Sequence, residues 1–229
     1  MGAGGERIAL VSGVSSGIGQ EIAHTLLAQG WRVIGLSRRA PGLDHPRLHH
    51  VAVDLSDAAA LDAALVDIGP LDAIIHAAGV LRVGRIGTLD PANGDAMWRL
   101  HVMAAERIVN ALVSRLADGG RIVLIGSRTA AGSAGRSQYA ATKAALLGMA
   151  RSWAIELAPR GICVNVVAPA ATDTPMLKDP ARAGVQSKMP PMGRLVQPAE
   201  IAGLTAFLLG DAARSITGQQ ITVCAGSSL

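Results

Sequence analysis

Short apolar runs rich in β-branched residues alternate along this chain with longer stretches in which apolar residues recur every three or four positions. Arg7–Ser12, Arg32–Ser37, His49–Val53, Leu71–His76, Arg121–Gly126, Ile162–Val167 and Gln220–Val223 read as strands. Gly17–Gln29, Asp57–Asp67, Asp95–Ala117, Ser137–Leu157 and Pro198–Leu209 read as helices. Strands such as RIALVS and RIVLIG are apolar at consecutive positions, so both faces of the sheet must be covered. The expectation is a doubly wound α/β domain with a parallel seven-stranded sheet and helices on both faces. In such a sheet a ligand binds outside the carboxyl ends of the strands, where the strand order reverses.

Composition narrows this further. A chain of 229 residues buries roughly 70–75% of its unfolded surface in one core, so one domain over residues 1–229 is expected. A hydrophobic content of 50% against 17% charged residues excludes intrinsic disorder. Apolar stretches such as Ile201–Leu209 fall short of the roughly 20 residues that cross a bilayer. The first residues hold no apolar signal core, and Glu6 stands where myristoylation needs Ser or Thr. Cys163 and Cys224 form neither a disulfide framework nor a metal spacing, so no metal and a cytoplasmic location are expected. A net charge of +4 with only 2% aromatics lacks the footprint of a nucleic-acid binder.

The first strand runs straight into Gly13-Val14-Ser15-Ser16-Gly17-Ile18-Gly19 and a helix. Glycines at these positions permit a tight turn and close approach of a phosphate to the backbone, with the helix N-terminus supplying free N–H groups. A plain strand-to-helix turn would look the same. Gly13 to Gly17 also spell a nucleophile elbow, G-x-S-x-G, with Ser15 as the nucleophile of a hydrolase, although nothing downstream marks its acid and histidine partners.

The second strand ends Ser37-Arg38-Arg39, with no carboxylate to grip ribose hydroxyls. Guanidinium groups there suit a 2′-phosphate, or form a solvated pair. Asp54, after the third strand, is placed to meet an adenine amino group or to cap the next helix.

Tyr139, the only tyrosine, precedes Lys143 by four positions on a predicted helix, which puts both on one face. An ammonium beside a phenol favours phenolate, as proton exchange near neutral pH requires. Ser127 ends the fifth strand at the mouth of the sheet. A buried tyrosine with a snorkelling lysine is the alternative for the pair alone.

Taken together and in order, these motifs resemble the compact, single-domain branch of the short-chain dehydrogenase/reductase family over essentially the whole chain. Gly13-x3-Gly17-x-Gly19, His76-Ala77-Ala78-Gly79, Ser127, Tyr139-Ala-Ala-Thr-Lys143, Asn165-Val-Val-Ala-Pro169, Thr174 and Ile216-Thr217-Gly218 carry the likeness. The resemblance implies a Rossmann-type fold and interconversion of a carbonyl and an alcohol with a nicotinamide cofactor, NADP(H) in preference to NAD(H). It implies Tyr139 as proton donor or acceptor, Ser127 as the group that orients the substrate oxygen, and Lys143 as holder of the nicotinamide ribose. Cofactor contacts fall to Gly13, Ser15, Ser16, Gly17, Ile18, Gly19, Ser37, Arg38, Arg39, Asp54, Leu55, Ala77, Ala78, Gly79, Tyr139, Lys143, Pro169, Thr172 and Thr174. A substrate lid is expected within residues 175–193, and a homotetramer, or failing that a homodimer, through the two long helices.

Three positions depart from the family pattern. His76 replaces the first Asn of Asn-Asn-Ala-Gly, Ala170 follows Pro169 where Gly is usual, and His101 stands where the family offers a catalytic Asn. His101 is expected either to sustain a water relay to Lys143 or merely to fill space. Asp44, His45, His49 and His50 superficially resemble a metal cluster but lack ligand spacing, and read as surface residues. Arg82, Arg85, Arg128 and Arg136 suit an anionic substrate or face solvent. The rival readings are an NAD-dependent dehydrogenase with the same residues, a non-catalytic dinucleotide-binding regulator, and the Ser15 hydrolase.

Overall fold

Strand β1 (Ile8–Ser12) feeds two apolar layers alternately, as the two-residue period of a strand dictates. Leu10 packs with Ile34, Ile74, Ile122 and Val164 on one face of the sheet, while Ala9 and Val11 pack with Val33, Ala73, Ile75 and Val123 on the other. Burying such a Leu or Ile completely contributes about 1.5–3 kcal/mol each, so both faces demand a helical cover. The structure is a computed structural model and describes residues 6–179 and 188–229.

After β1 come α1 (Gly17–Ala28), β2 (Arg32–Ser37), β3 (Leu48–Ala52), α2 (Ala58–Leu65) and β4 (Leu71–His76). Then follow α3 (Pro91–Trp98), a π-helical turn (Arg99–Met103), α4 (Ala104–Leu112), β5 (Leu116–Ile125) and α5 (Ser137–Leu157). The chain closes with β6 (Cys163–Pro169), α6 (Pro198–Leu208) and β7 (Gln220–Val223). All strands are parallel in the order β3-β2-β1-β4-β5-β6-β7. Helices α1 and α6 cover one face; α2, α4 and α5 cover the other. The order reverses between β1 and β4, whose carboxyl ends carry the glycine turn and the segment 77–79.

The long helix expected over Asp95–Ala117 differs from this. It begins earlier, because Asp90 caps it by accepting the N–H of Ala92 at 3.0 Å and Pro91 occupies its first turn. It widens into a π turn around His101 and ends sooner, since Leu116 already pairs with Leu71 at the start of β5. Asp54 does not cap α2; Asp57 does, accepting the N–H of Ala60 at 3.1 Å. Of the segment read as a lid, Pro175–Lys178 form a 3₁₀ turn, while residues 180–187 lie outside the described residues.

Candidate active site

Gly13 must be glycine. Its φ is +77°, and a Cβ there would lie 2.8 Å from the backbone N and Cα of Ala78. Gly19 is as constrained, since a Cβ on it would collide with the carbonyl oxygen of Gly13. The turns after β1 and β4 are thus pressed together at the switch point. No side chain caps the start of α1, and its first turn holds no acidic residue. The helix therefore presents bare N–H groups and a positive dipole end to the adjoining cavity, which suits a pyrophosphate.

That cavity has a volume of about 1060 Å³ and runs across the carboxyl ends of the strands. Every cofactor residue expected from the sequence lines it, from Gly13 through Asp54 and Leu55 to Pro169, Thr172 and Thr174, together with Ser127, Tyr139 and Lys143. His101 alone sits behind the wall, where a Cβ on Gly79 would stand 3.3 Å from its Nε2. The glycine cradle, the open helix end and the space beyond them fit a dinucleotide. Thr174 closes over the cradle, its Cγ2 lying 3.4 Å from where a Cβ on Gly17 would be.

At the far end of β2, Ser37 is buried and its hydroxyl donates to the carbonyl of Arg39 at 2.7 Å. His50, read from the sequence as a surface residue, donates from Nε2 to the Ser37 carbonyl at 3.1 Å and lies 3.1 Å from the Ser37 hydroxyl. The sequence held a signal for this contact, because β3 pairs with β2 and brings His50 opposite Gly35, two positions before Ser37. Arg38 and Arg39 are exposed and have no ion-pair partner within 4 Å among the described residues. Asp54 accepts from both the N–H and the hydroxyl of Ser56; these bonds, with the charge of Arg38, hold its carboxyl below the usual range.

Helix α5 buries Tyr139, Lys143, Leu146, Ala150 and Ala154 along one stripe. Lys143 Nζ lies 5.9 Å from the centre of the Tyr139 ring and donates to the last carbonyl of β5, Ile125, at 2.8 Å. Burial pushes its ammonium down to about 7. Ser127 caps the 3₁₀ turn Arg128–Ala131, its oxygen accepting the N–H of Thr129 at 3.1 Å. The oxygen is fixed by that bond and the hydroxyl proton is left to serve a ligand. Tyr139 itself packs with Leu81, Met97 and Met176, which keeps water from the ring.

Two buried histidines brace this centre. His76 donates from Nε2 to the Leu100 carbonyl at 3.1 Å and accepts at Nδ1 from the Ser12 hydroxyl at 2.9 Å. The Ser12 oxygen in turn accepts from the N–H groups of Ala77 and Ala78, at 3.1 and 3.2 Å. Burial, with the charge of Lys143 beside it, lowers the His76 pKa to about 3. The same two causes, with His76 as a third, hold His101 well below the ordinary histidine value. Both rings are neutral at pH 7. Ser15 has neither a histidine nor a carboxylate bonded to it among the described residues, so the hydrolase arrangement is not assembled. No group of three metal-ligating side chains occurs among the described residues either.

Known proteins place the chain. The family model described as enoyl-(acyl carrier protein) reductase matches residues 13–228. The 3-oxoacyl-[acyl-carrier-protein] reductase FabG of Salmonella typhimurium is 36% identical over 236 residues, covering 96% of each chain. A short chain dehydrogenase from Burkholderia cenocepacia, solved in complex with NADP, superposes with a TM-score of 0.87 at 33% identity over 98% of both chains. A short chain dehydrogenase family protein from Francisella tularensis superposes with a TM-score of 0.90 at 28% identity, covering 98% of this chain and 99% of that one. The chain therefore belongs to the short-chain dehydrogenase/reductase family of NAD(P)-dependent oxidoreductases.

Proposed function

We propose that this protein is an NADP(H)-dependent reductase that interconverts a ketone or aldehyde and an alcohol, with Tyr139 as general acid and base. The observation that carries this reading is the meeting of Ser127, Tyr139 and Lys143 in one cavity with a glycine turn and an uncapped helix end. When bound, the nicotinamide exchanges a hydride with the substrate carbon. The Ser127 hydroxyl donates to the substrate oxygen and holds it against the Tyr139 phenol. In reduction Tyr139 gives that oxygen its proton; in oxidation it takes the proton back. The Lys143 ammonium beside the ring favours the phenolate, and it is also placed to hold the nicotinamide ribose. The apolar packing of Tyr139 with Leu81, Met97 and Met176 excludes water from the transfer.

Preference for NADP(H) rests on the other end of the cavity. Arg38 and Arg39 offer two guanidinium groups, the turn that carries them is pinned through Ser37 to His50, and among the described residues Asp54 is the only side-chain carboxylate lining the cavity. The NADP complex of the Burkholderia relative supports the same preference. Residues 175–193 serve as the substrate lid, with Met176 already against the Tyr139 cluster.

The protein works as a cytoplasmic homotetramer on small molecules. Trp98, Met103 and Ile155 stand exposed on the long helical segments, ready to be covered by a second copy. Among the described residues no helix is long and apolar enough to cross a membrane. A screen of carbonyl compounds and alcohols with both cofactors, followed at the nicotinamide absorbance, tests the activity. Light scattering at micromolar concentration tests the assembly, and a monomer would contradict it.

A further inference from the structure

Arg128 directly follows Ser127 and lines the same cavity. Its backbone is held in the 3₁₀ turn that Ser127 caps, with Ala130 N–H bonded to the Ser127 carbonyl at 3.0 Å. Its side chain is half-buried, yet its guanidinium has no hydrogen bond or ion pair among the described residues. Other half-buried arginines of the chain are satisfied. Arg115 donates to the carbonyls of Leu65, Val66 and Ile68, and Arg160 donates to Asp118 and the Val113 carbonyl. A guanidinium drawn partly out of water without a partner is costly, and an incoming oxyanion relieves that cost. The wall around it has the same sign. Arg85, Arg99, Arg136 and Lys188 also line the cavity, as does Arg82, which is paired with Asp179 at 3.4 Å, and among the described residues Asp54 is the one side-chain carboxylate in the lining.

We propose that the substrate carries an oxyanion, borne by a carboxylate or a phosphate, and that Arg128 binds it while Ser127 binds the reacting oxygen. The inference rests on the reductase reading above and adds the class of substrate to it. Neighbouring positions in one rigid turn hold both ends of the ligand. The planar fork of Arg128 takes two oxygens at once, which fixes the orientation of the carbonyl as well as its affinity. Arg128 is thus a specificity-determining residue rather than a participant in proton transfer.

Binding decides the matter without turnover. Calorimetry on the Tyr139→Phe protein with NADPH bound would compare 3-oxobutanoate, its neutral ethyl ester and acetoacetyl-coenzyme A. At least one anion should bind about tenfold or more tighter than the ester, as charge-assisted hydrogen bonds provide. Adding Arg128→Gln should abolish that advantage and leave ester binding unchanged. A preference for 3-oxobutanoate assigns the carboxylate, and a preference for the thioester alone assigns the phosphate. Retained NADPH binding shows that the Gln variant is folded; if it is lost, Arg128→Lys takes its place and should keep only part of the advantage. The proposal is overturned if neither anion binds better than the ester, including by failing to bind, or if the advantage survives loss of the guanidinium. Wild-type turnover of the same compounds reports separately on the reductase reading.

Discussion

His101 Nε2 accepts the backbone N–H of Val80 at 3.0 Å, and that bond fixes which proton the ring carries. Nδ1 must then hold the hydrogen, which it donates to Thr142 Oγ1 at 2.9 Å. Thr142 passes its own hydroxyl proton to the carbonyl of Tyr139 at 2.8 Å. The imidazole also meets the Tyr139 ring edge-on, with centroids 5.6 Å apart. Both ring nitrogens are therefore engaged within the protein, and of the two alternatives for His101 the water relay has no free ring nitrogen to use. We assign His101 a positioning role, tying the turn after β4 to the start of α5.

Replacing His101 tests that role. His101→Leu leaves the Val80 N–H without its acceptor and should cost about 1–3 kcal/mol of stability. It should also lower kcat by loosening Tyr139. His101→Asn, whose amide both accepts and donates, should recover part of each loss. Because burial beside Lys143 holds the ring's pKa well below the ordinary histidine value, the kcat pH profile of the Asn variant should match the wild type near neutral pH. A new ionisation in that comparison would restore the relay.

Acid should weaken the fold through His76. Its pKa is about 3 in the folded protein against 6.5 as an ordinary histidine. Between those values the unfolded chain takes up a proton that the folded one refuses. The contribution of His76 is thus full above about pH 6.5 and falls as the pH drops towards 3. At pH 5 the loss from His76 alone amounts to about 2 kcal/mol, and His101 acts in the same direction. Lys143 adds no slope in this window, since it is protonated in both states below its value of about 7. Urea midpoints at pH 6.5 and pH 5, both below the Lys143 value, measure the drop, and equal midpoints would count against the buried neutral rings.

Cofactor choice should respond to the two residues that shape the end of β2. Arg38→Asp replaces attraction by repulsion and should weaken NADPH binding at least about tenfold more than NADH binding. His50→Phe fills the space but removes the donor to Ser37, and should cost NADPH about threefold while sparing NADH. Fluorescence titration with both cofactors gives the ratio. Equal losses for the two would place the 2′-phosphate elsewhere.

Hydrophobic period and strand-end chemistry made much of this legible in the sequence. Leu71–His76, Ser137–Leu157 and Gln220–Val223 form the elements expected of them: the first follows Gly69-Pro70 and is buried almost throughout, the second follows Arg136 and buries one face, and the third follows Gly218-Gln219 with alternate residues half-buried. The cavity residues were legible for the same reason: nearly all sit at strand ends. The π turn was not, because it depends on where His101 and Leu100 find partners across the sheet rather than on local preference. His50 was missed because its partner lies 13 positions away, on the adjoining strand. The sequence marks His76 only as a departure from the family pattern, whereas it joins Ser12 to Leu100 and so fixes the turn beside the cofactor cavity.

The most direct test of the account is the Tyr139→Phe exchange, which removes one oxygen and leaves the packed ring with Leu81, Met97 and Met176. A positioned proton donor is typically worth about 10²–10⁴-fold in rate. The account predicts a fall in kcat of that order for carbonyl reduction, with NADPH bound as tightly as by the wild type. A Phe variant that keeps near-full turnover would contradict it.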